Sequence, residues 1–118
     1  MVSTLRKRAL QSRDAIELLS SKWRITVLHL LGPGPLRTNE LQRAIDHISA
    51  KMLTQTLRGM ERDGLIERRV RKEKPAHVEY AITAMGTEVV PLLRSLCVWA
   101  EHHAEKRDAA RARYDRRR

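Results

Sequence analysis

The 118-residue sequence predicts a mainly α domain of the α+β class, helical at both ends with one β-hairpin in its second half. Three observations carry that expectation. Apolar residues recur at helical spacing over the first half, the period shortens to two over 65–71 and 77–83, and helical spacing returns after Thr83. A chain of this length makes one domain.

Taken in order, Met1–Arg13 is basic and weakly amphipathic and reads as a short helix or a mobile arm. Asp14 to Glu17 has the D-x-x-E form of a capping box, which predicts a short helix through Ile16, Leu18 and Leu19. Ser20 and Ser21 offer an N-cap for a helix over Trp23–Leu31. That helix is apolar on nearly every side, through Trp23, Ile25, Val27, Leu28, Leu30 and Leu31, so it is expected to be the buried central one. Gly32-Pro33-Gly34-Pro35 must end it, because proline removes donors and glycine permits the turn.

Shorter units follow. Thr38 is expected to cap a helix with Leu41, Ala44 and Ile45 facing inward, and Asp46-His47-Ile48 leads to a second N-cap at Ser49. The next helix runs to about Asp63 and stops at Gly64, with Leu53, Leu57 and Met60 as its inward stripe. Gly59 inside it costs about 1 kcal/mol relative to alanine. Strands are expected at Leu65–Arg71 and His77–Thr83, joined by the charged tip Lys72-Glu73-Lys74-Pro75-Ala76; Val78, Tyr80 and Ile82 face one way and His77, Glu79 and Ala81 the other. Thr83 or Thr87 then caps a long helix with Val89, Leu92, Leu93, Leu96, Cys97 and Ala100 along one face and Pro91 near its start. The last dozen residues are Arg-rich and expected to fray. The organisation is thus a basic arm (1–13), a folded domain (14–105) and an Arg-rich tail (106–118).

Composition limits the function. Twenty-four Lys and Arg against 14 Asp and Glu give a formal charge of +10, which calls for an acidic partner, nucleic acid before an anionic membrane. The excess sits in three segments, Met1–Arg13, Ser49–Lys74 and Ala104–Arg118, while the remainder is slightly acidic. One cysteine cannot make an intramolecular disulfide, and the Cys and His spacings match no zinc site. His102 and His103 are adjacent, so on a helix they point about 100° apart and do not share one ion. No apolar run is long enough to span a bilayer and the N-terminus lacks a signal-peptide core, so a soluble cytoplasmic protein is expected, without a membrane partner. Only Trp23, Trp99, Tyr80 and Tyr114 carry rings, too few to stack single-stranded bases and also fill a core, which leaves duplex DNA as the fitting partner. No nucleophilic triad, phosphate loop or paired buried carboxylates occur; neither catalysis nor a cofactor is expected.

Three helices followed by a hairpin is the order of a winged helix-turn-helix, with Thr38–Ile45 and Ser49–Asp63 as the DNA-reading pair. Lys51, Gln55, Arg58 and Arg62 fall at i, i+4, i+7 and i+11, opposite the inward stripe, with Thr54 beside them. Glutamine and arginine make bidentate contacts to adenine and guanine edges, so Lys51, Thr54, Gln55 and Arg58 are the candidates for base contacts. Ser49, Arg62 and Arg37 are candidates for the phosphates, and Arg69, Arg71, Lys72 and Lys74 for contacts from the hairpin, or wing. A charged stripe also fits a solvated helix face, and charge on an edge strand also blocks aggregation. Two rivals use the same charge: a non-specific architectural DNA- or RNA-binding protein, and a winged helix that binds an acidic protein.

Particular residues narrow this further. Lys22-Trp23, the Leu31-Gly32-Pro33-Gly34-Pro35 turn, Asn39-Glu40-Leu41, Ile48 to Thr54, Leu57, Asp63-Gly64-Leu65-Ile66, Val78-Glu79-Tyr80, Thr83 and Leu96-Cys97-Val98-Trp99 occur in order. Together they resemble the HxlR-type family of bacterial winged-helix transcriptional regulators, relatives of the MarR group, over roughly Ala15 to Glu105. The resemblance implies a homodimer whose N- and C-terminal helices pair, two recognition helices on a pseudo-palindromic operator, and control by thiol oxidation, quinones, aldehydes or another small effector. On this reading Leu5, Leu10, Val89, Leu92, Leu93, Leu96, Cys97, Trp99 and Ala100 form the dimer interface. Dimerisation is also expected because the last helix carries more apolar surface than so small a domain buries alone.

Departures from the family pattern are specific. Leu10 and Gln11 stand where redox-sensing members place cysteine and proline, Ser20-Ser21 where they place two glycines, Thr38 where phenylalanine is usual and Ala50 where proline is common. Cys97 reads first as a small buried hydrophobe, and alternatively as an intersubunit redox switch. His29 reads first as a core histidine; with Trp23 and Trp99 it is also a candidate lining of an effector pocket.

Overall fold

The computed structural model describes residues 1–117, as six helices and three short strands. Two compact units divide between Thr87 and Glu88.

The first unit opens with α1, Val2–Glu17, one continuous helix with every residue exposed. Of the two alternatives for residues 1–13, helix or arm, the structure has the helix, and the expected fresh helix start at Asp14 is absent. No glycine or proline interrupts residues 2–17, so Asp14 sits in the helix interior and caps nothing. Helix α2, Lys22–Leu31, is capped as expected: the Ser21 Oγ accepts the Trp23 N–H at 3.2 Å. Val27, Leu28 and Leu31 are buried, while Trp23, Ile25 and Leu30 are only half-buried. His29 is exposed, contrary to its reading as a core residue. Only one face of α2 meets a core this small, and His29 lies off it.

Strand β1, Leu36–Arg37, was not anticipated; two residues carry no period to detect. Helix α3, Thr38–Ala44, begins at Thr38 itself, so the cap lies one residue earlier. There the Arg37 N–H donates to Glu40 Oε1 at 2.9 Å, a carboxylate reaching back over the first turn. Leu41 and Ile45 are buried, whereas Ala44, expected inward, is exposed. A tight turn follows in which His47 adopts φ 66°, a region where histidine is more often found than most residues. Gln42 Nε2 donates to the Ile48 carbonyl at 2.6 Å and closes that turn.

Helix α4, Ala50–Arg62, starts under Ser49, whose Oγ accepts the Met52 N–H at 3.0 Å. It ends at Asp63, and Gly64 at φ 77° supplies the left-handed residue that a helix C-terminus favours. Leu53, Leu57 and Met60 are fully buried, joined by Thr56, whose hydroxyl donates to the Met52 carbonyl at 2.8 Å. Strands β2, Ile66–Arg71, and β3, His77–Ile82, form an antiparallel hairpin, and β1 adds to the other side of β3. The register pairs Arg69 and Arg37 with Glu79 from either side, and Arg68 and Leu36 with Tyr80. Tyr80 and Ala81 are both buried, so β3 is covered on both faces.

Helix α5, Ala84–His102, begins in this unit. Thr83 is its cap: Oγ1 accepts the Gly86 N–H at 3.1 Å and donates to the Gly64 carbonyl at 2.6 Å. Because the helix starts at Ala84, Pro91 lies in its interior and leaves the Thr87 carbonyl without an N–H donor four residues on.

The second unit comprises the rest of α5 and a further helix, α6, Ala104–Arg116, set off by His103 at φ −106°, ψ 8°. The frayed tail is therefore corrected to a helix. Cys97 is an exposed free thiol, not a buried one.

Candidate nucleic-acid interface

The interface begins with how α4 is held. Burial of Leu53, Thr56, Leu57 and Met60 fixes the helix's rotation and leaves Lys51, Met52, Thr54, Gln55, Arg58 and Arg62 exposed. Among the described residues, no acid lies within ion-pair distance of Lys51, Arg58 or Arg62. Those cations remain for an external anion. The Thr54 hydroxyl donates to the Ala50 carbonyl at 2.9 Å, so it meets a ligand as an acceptor. The Ser49 hydroxyl oxygen already caps α4, which places Ser49 at the helix N-terminus, where backbone N–H groups favour an anion.

At the other end of α4, a residue that sequence reading missed sets the position. Arg24 of α2 extends its guanidinium across Gly59 to Asp63, with Nη1 at 2.7 Å from Oδ2, and also donates to the Leu18 carbonyl at 3.0 Å. The two side chains are only 20% and 27% exposed, so the pair is shielded enough to matter. A Cβ on Gly59 would fall 2.6 Å from Arg24 Nη2. Glycine here is the room the arginine needs. Proximity of Lys22, whose Nζ lies 4.5 Å from the Trp23 ring centroid, covers the start of the same helix α2.

The hairpin sorts its cations into two groups. Arg71 Nε lies 2.7 Å from Glu79 Oε1, and Arg69 Nη2 lies 2.6 Å from Glu67 Oε1. His77 Nε2 is 3.6 Å from the other Glu79 oxygen. The hydrogen bond from Arg71 holds the Glu79 carboxyl below its ordinary pKa against the opposing effect of desolvation, and Glu79 raises Arg71 in return. Arg69 and Arg71 are therefore already matched within the hairpin. Lys72 and Lys74 at the tip are exposed and have no acid within ion-pair distance, and so has Arg68, which the sequence reading did not single out. Arg37 is half-buried beside Glu79 on the adjoining strand.

The remaining candidates are placed as follows. Leu5 and Leu10 are exposed on α1. On α5, Leu92, Leu96 and Trp99 are 69%, 60% and 59% exposed, Val89 and Ala100 are half-buried, and Leu93 is buried within the single chain. Trp99 stacks on His103 at 5.1 Å between ring centroids. Trp23 and His29, six residues apart on α2, project about 120° from one another, so that helix does not bring them onto one surface. No group of three or more His, Cys, Asp or Glu among the described residues could hold a metal ion, and no helix is long and apolar enough to cross a membrane.

A short helix, a tight turn, a second helix with an unpaired basic face, and an antiparallel hairpin define a DNA-binding winged helix-turn-helix. Within that class, the chain belongs to the family described as HxlR-like helix-turn-helix, which matches residues 18–108. It is 43% identical over 90 residues to YkvN, an HTH-type transcriptional regulator of Bacillus subtilis (strain 168), covering 76% of each chain. Its fold is similar to that of a MarR-family transcriptional regulator from Enterococcus faecalis V583, with a TM-score of 0.77 and 37% identity over 86% of this chain and 92% of that one. It is also similar to the reduced form of the transcriptional regulator YodB from B. subtilis, with a TM-score of 0.76 and 32% identity over 81% and 94% of the two chains. YodB has in addition been solved with a quinone bound.

Proposed function

We propose that this chain is a homodimeric, sequence-specific transcriptional regulator that reads a pseudo-palindromic operator with α4 and answers to a small effector or stress signal. One observation carries the DNA half of the reading: the face of α4 turned away from the core presents Lys51, Thr54, Gln55 and Arg58 together, with the cations unpaired. Placed in the major groove, Gln55 and Arg58 have the donors and acceptors to address adenine and guanine edges. Arg62, Ser49 and Arg37 sit where phosphates flank such a helix. In the wing, Lys72 and Lys74 meet the backbone directly, while Arg69 and Arg71 do so only by exchanging Glu67 and Glu79 for phosphate.

Dimerisation is supported by exposed leucines on α1 and by the Val89, Leu92, Leu96, Trp99 stripe of α5, at i, i+3, i+7 and i+10 with Cys97 and Ala100 beside it. Leu93, buried within the chain, is left out of that surface. Effector control is supported by the likeness to YodB, and Trp23 in the first unit and Trp99 in the second are separate aromatic candidates to meet such a ligand. The test is a pair of substitutions read on selected and random duplexes. Gln55→Ala should cost about 1–3 kcal/mol per half-site of the preferred operator and relax preference at one base pair in each, whereas Lys74→Ala should lower the salt slope by about 0.9 per subunit and leave preference intact. Equal weakening of all sequences by Gln55→Ala would refute base reading by α4.

A further inference from the structure

The family match ends at residue 108, but α6 continues to Arg116, so most of this helix lies outside what the family accounts for. We infer that α6 is a second duplex-DNA surface, one that holds phosphates flanking the operator without reading sequence. The inference rests on the DNA-binding reading above and adds a separate element to it.

Chemistry excludes the other ordinary roles of a terminal helix. The only large apolar side chain on α6 is Tyr114, no residue of the helix is buried, and its apolar positions form no stripe. Such a helix has no seam for a coiled coil and no apolar face to sink into a lipid surface. What it has is charge. From Ala104 to Arg117 six cations stand against three acids, and among the described residues none of these cations is ion-paired. Helical spacing puts Lys106, Arg113 and Arg117 on one side, at i, i+7 and i+11, and Arg107 with Arg111 at i and i+4 on another. Like charges three and four residues apart repel along a helix, so the free element carries a cost that a polyanion removes. Thirteen residues make a rod about 20 Å long, and duplex DNA sets one phosphate per roughly 1.7 Å of axis along it. Five of the six cations are arginines, suited to paired hydrogen bonds with phosphate oxygens, and the same chain is read above as carrying a DNA-reading helix.

The experiment uses the full chain and two variants: Arg111→Gln/Arg113→Gln/Arg116→Gln/Arg117→Gln, and Glu105→Gln/Asp108→Asn/Asp115→Asn. Anisotropy is measured on a selected operator and on random duplex across a salt series, with helicity checked by circular dichroism. Removing the four arginines should weaken both duplexes by about tenfold or more at 0.15 M salt, lower the salt slope by roughly 2–4 per subunit, and leave the operator-to-random ratio unchanged. Neutralising the three acids should tighten both duplexes equally. Wild-type slopes and affinities in the arginine variant would overturn the inference, as would a loss confined to the operator. So would loss of binding to vesicles of anionic phospholipid with DNA binding intact. Failure of the wild-type chain to prefer any duplex would instead sink the operator reading, a different result from any of these.

Discussion

Gly59 and Arg24 offer the sharpest test of how α4 is held. In an exposed helix, replacing an interior glycine with alanine stabilises by about 1 kcal/mol. At Gly59 the new methyl group would stand 2.6 Å from Arg24 Nη2, closer than such atoms approach, so the guanidinium must move. Moving it gives up the 2.7 Å contact with Asp63 and the 3.0 Å bond to the Leu18 carbonyl. Hydrogen bonds involving charged groups contribute about 1.5–3 kcal/mol, and partial exposure reduces this pair to about 1–2 kcal/mol. Gly59→Ala in the otherwise unchanged chain should therefore range from neutral to about 1 kcal/mol destabilising. With Arg24→Ala already present, the obstruction is gone and the same change should stabilise by about 1 kcal/mol. Urea denaturation of the four proteins at one concentration gives the coupling, expected at about 1–2 kcal/mol. A gain of about 1 kcal/mol in both backgrounds would refute the clamp. DNA binding adds a second reading, because Arg24→Ala should weaken operator affinity without changing the salt slope, as Arg24 spends its donors inside the protein.

Two further predictions follow from the exposed stripe and the hairpin. Leu96→Glu should dissociate the proposed dimer: burying each leucine stabilises by about 1.5–3 kcal/mol, twofold symmetry doubles the loss, and sedimentation should show self-association weaker by roughly 10²–10⁴-fold. Glu79 has a lowered folded-state pKa, so its contribution to stability is full above the ordinary carboxylate range and is lost as pH falls through the lowered value. The urea midpoint difference between the unchanged chain and Glu79→Gln should accordingly shrink on acidification; a difference constant with pH would show that the Arg71 bond contributes nothing through ionisation.

Much of the fold was legible because its signals are local. Ser21 and Ser49 cap helices in the structure as their hydroxyls and positions imply, and Gly64 ends α4 with the left-handed backbone that glycine permits. The failures share a cause as well. Asp14 looked like a cap because D-x-x-E is also what a helix interior can contain, and only an uninterrupted run of helix formers from Val2 decides between them. His29 looked buried because α2 is apolar all round, yet which third of such a helix meets the core depends on where α3, α4 and β3 lie. Strand β1 exists only through pairing with β3, so two residues alone could not announce it.

The site divides along the same line. The exposed row of α4 follows from periodicity, since a helix with one buried stripe has only one opposite face. The wing does not yield to that logic, because counting Arg69 and Arg71 as available ignores the acids that register sets beside them: Glu79 faces Arg69 across the ladder and bonds Arg71, and Glu67 bonds Arg69. Net charge by segment therefore overstates what the hairpin can offer and, if α6 acts as inferred, understates what the C-terminal segment offers. Cations matched by a neighbouring carboxylate must lose one partner to gain another, and a phosphate contact made by such exchange adds little affinity. The unmatched ones, among them Lys51, Arg58 and Arg62 on α4, Arg68, Lys72 and Lys74 of the hairpin, and the arginines of α6, are free to displace counterions condensed on DNA. Salt dependence should thus track the unpaired cations and not the formal charge of +10.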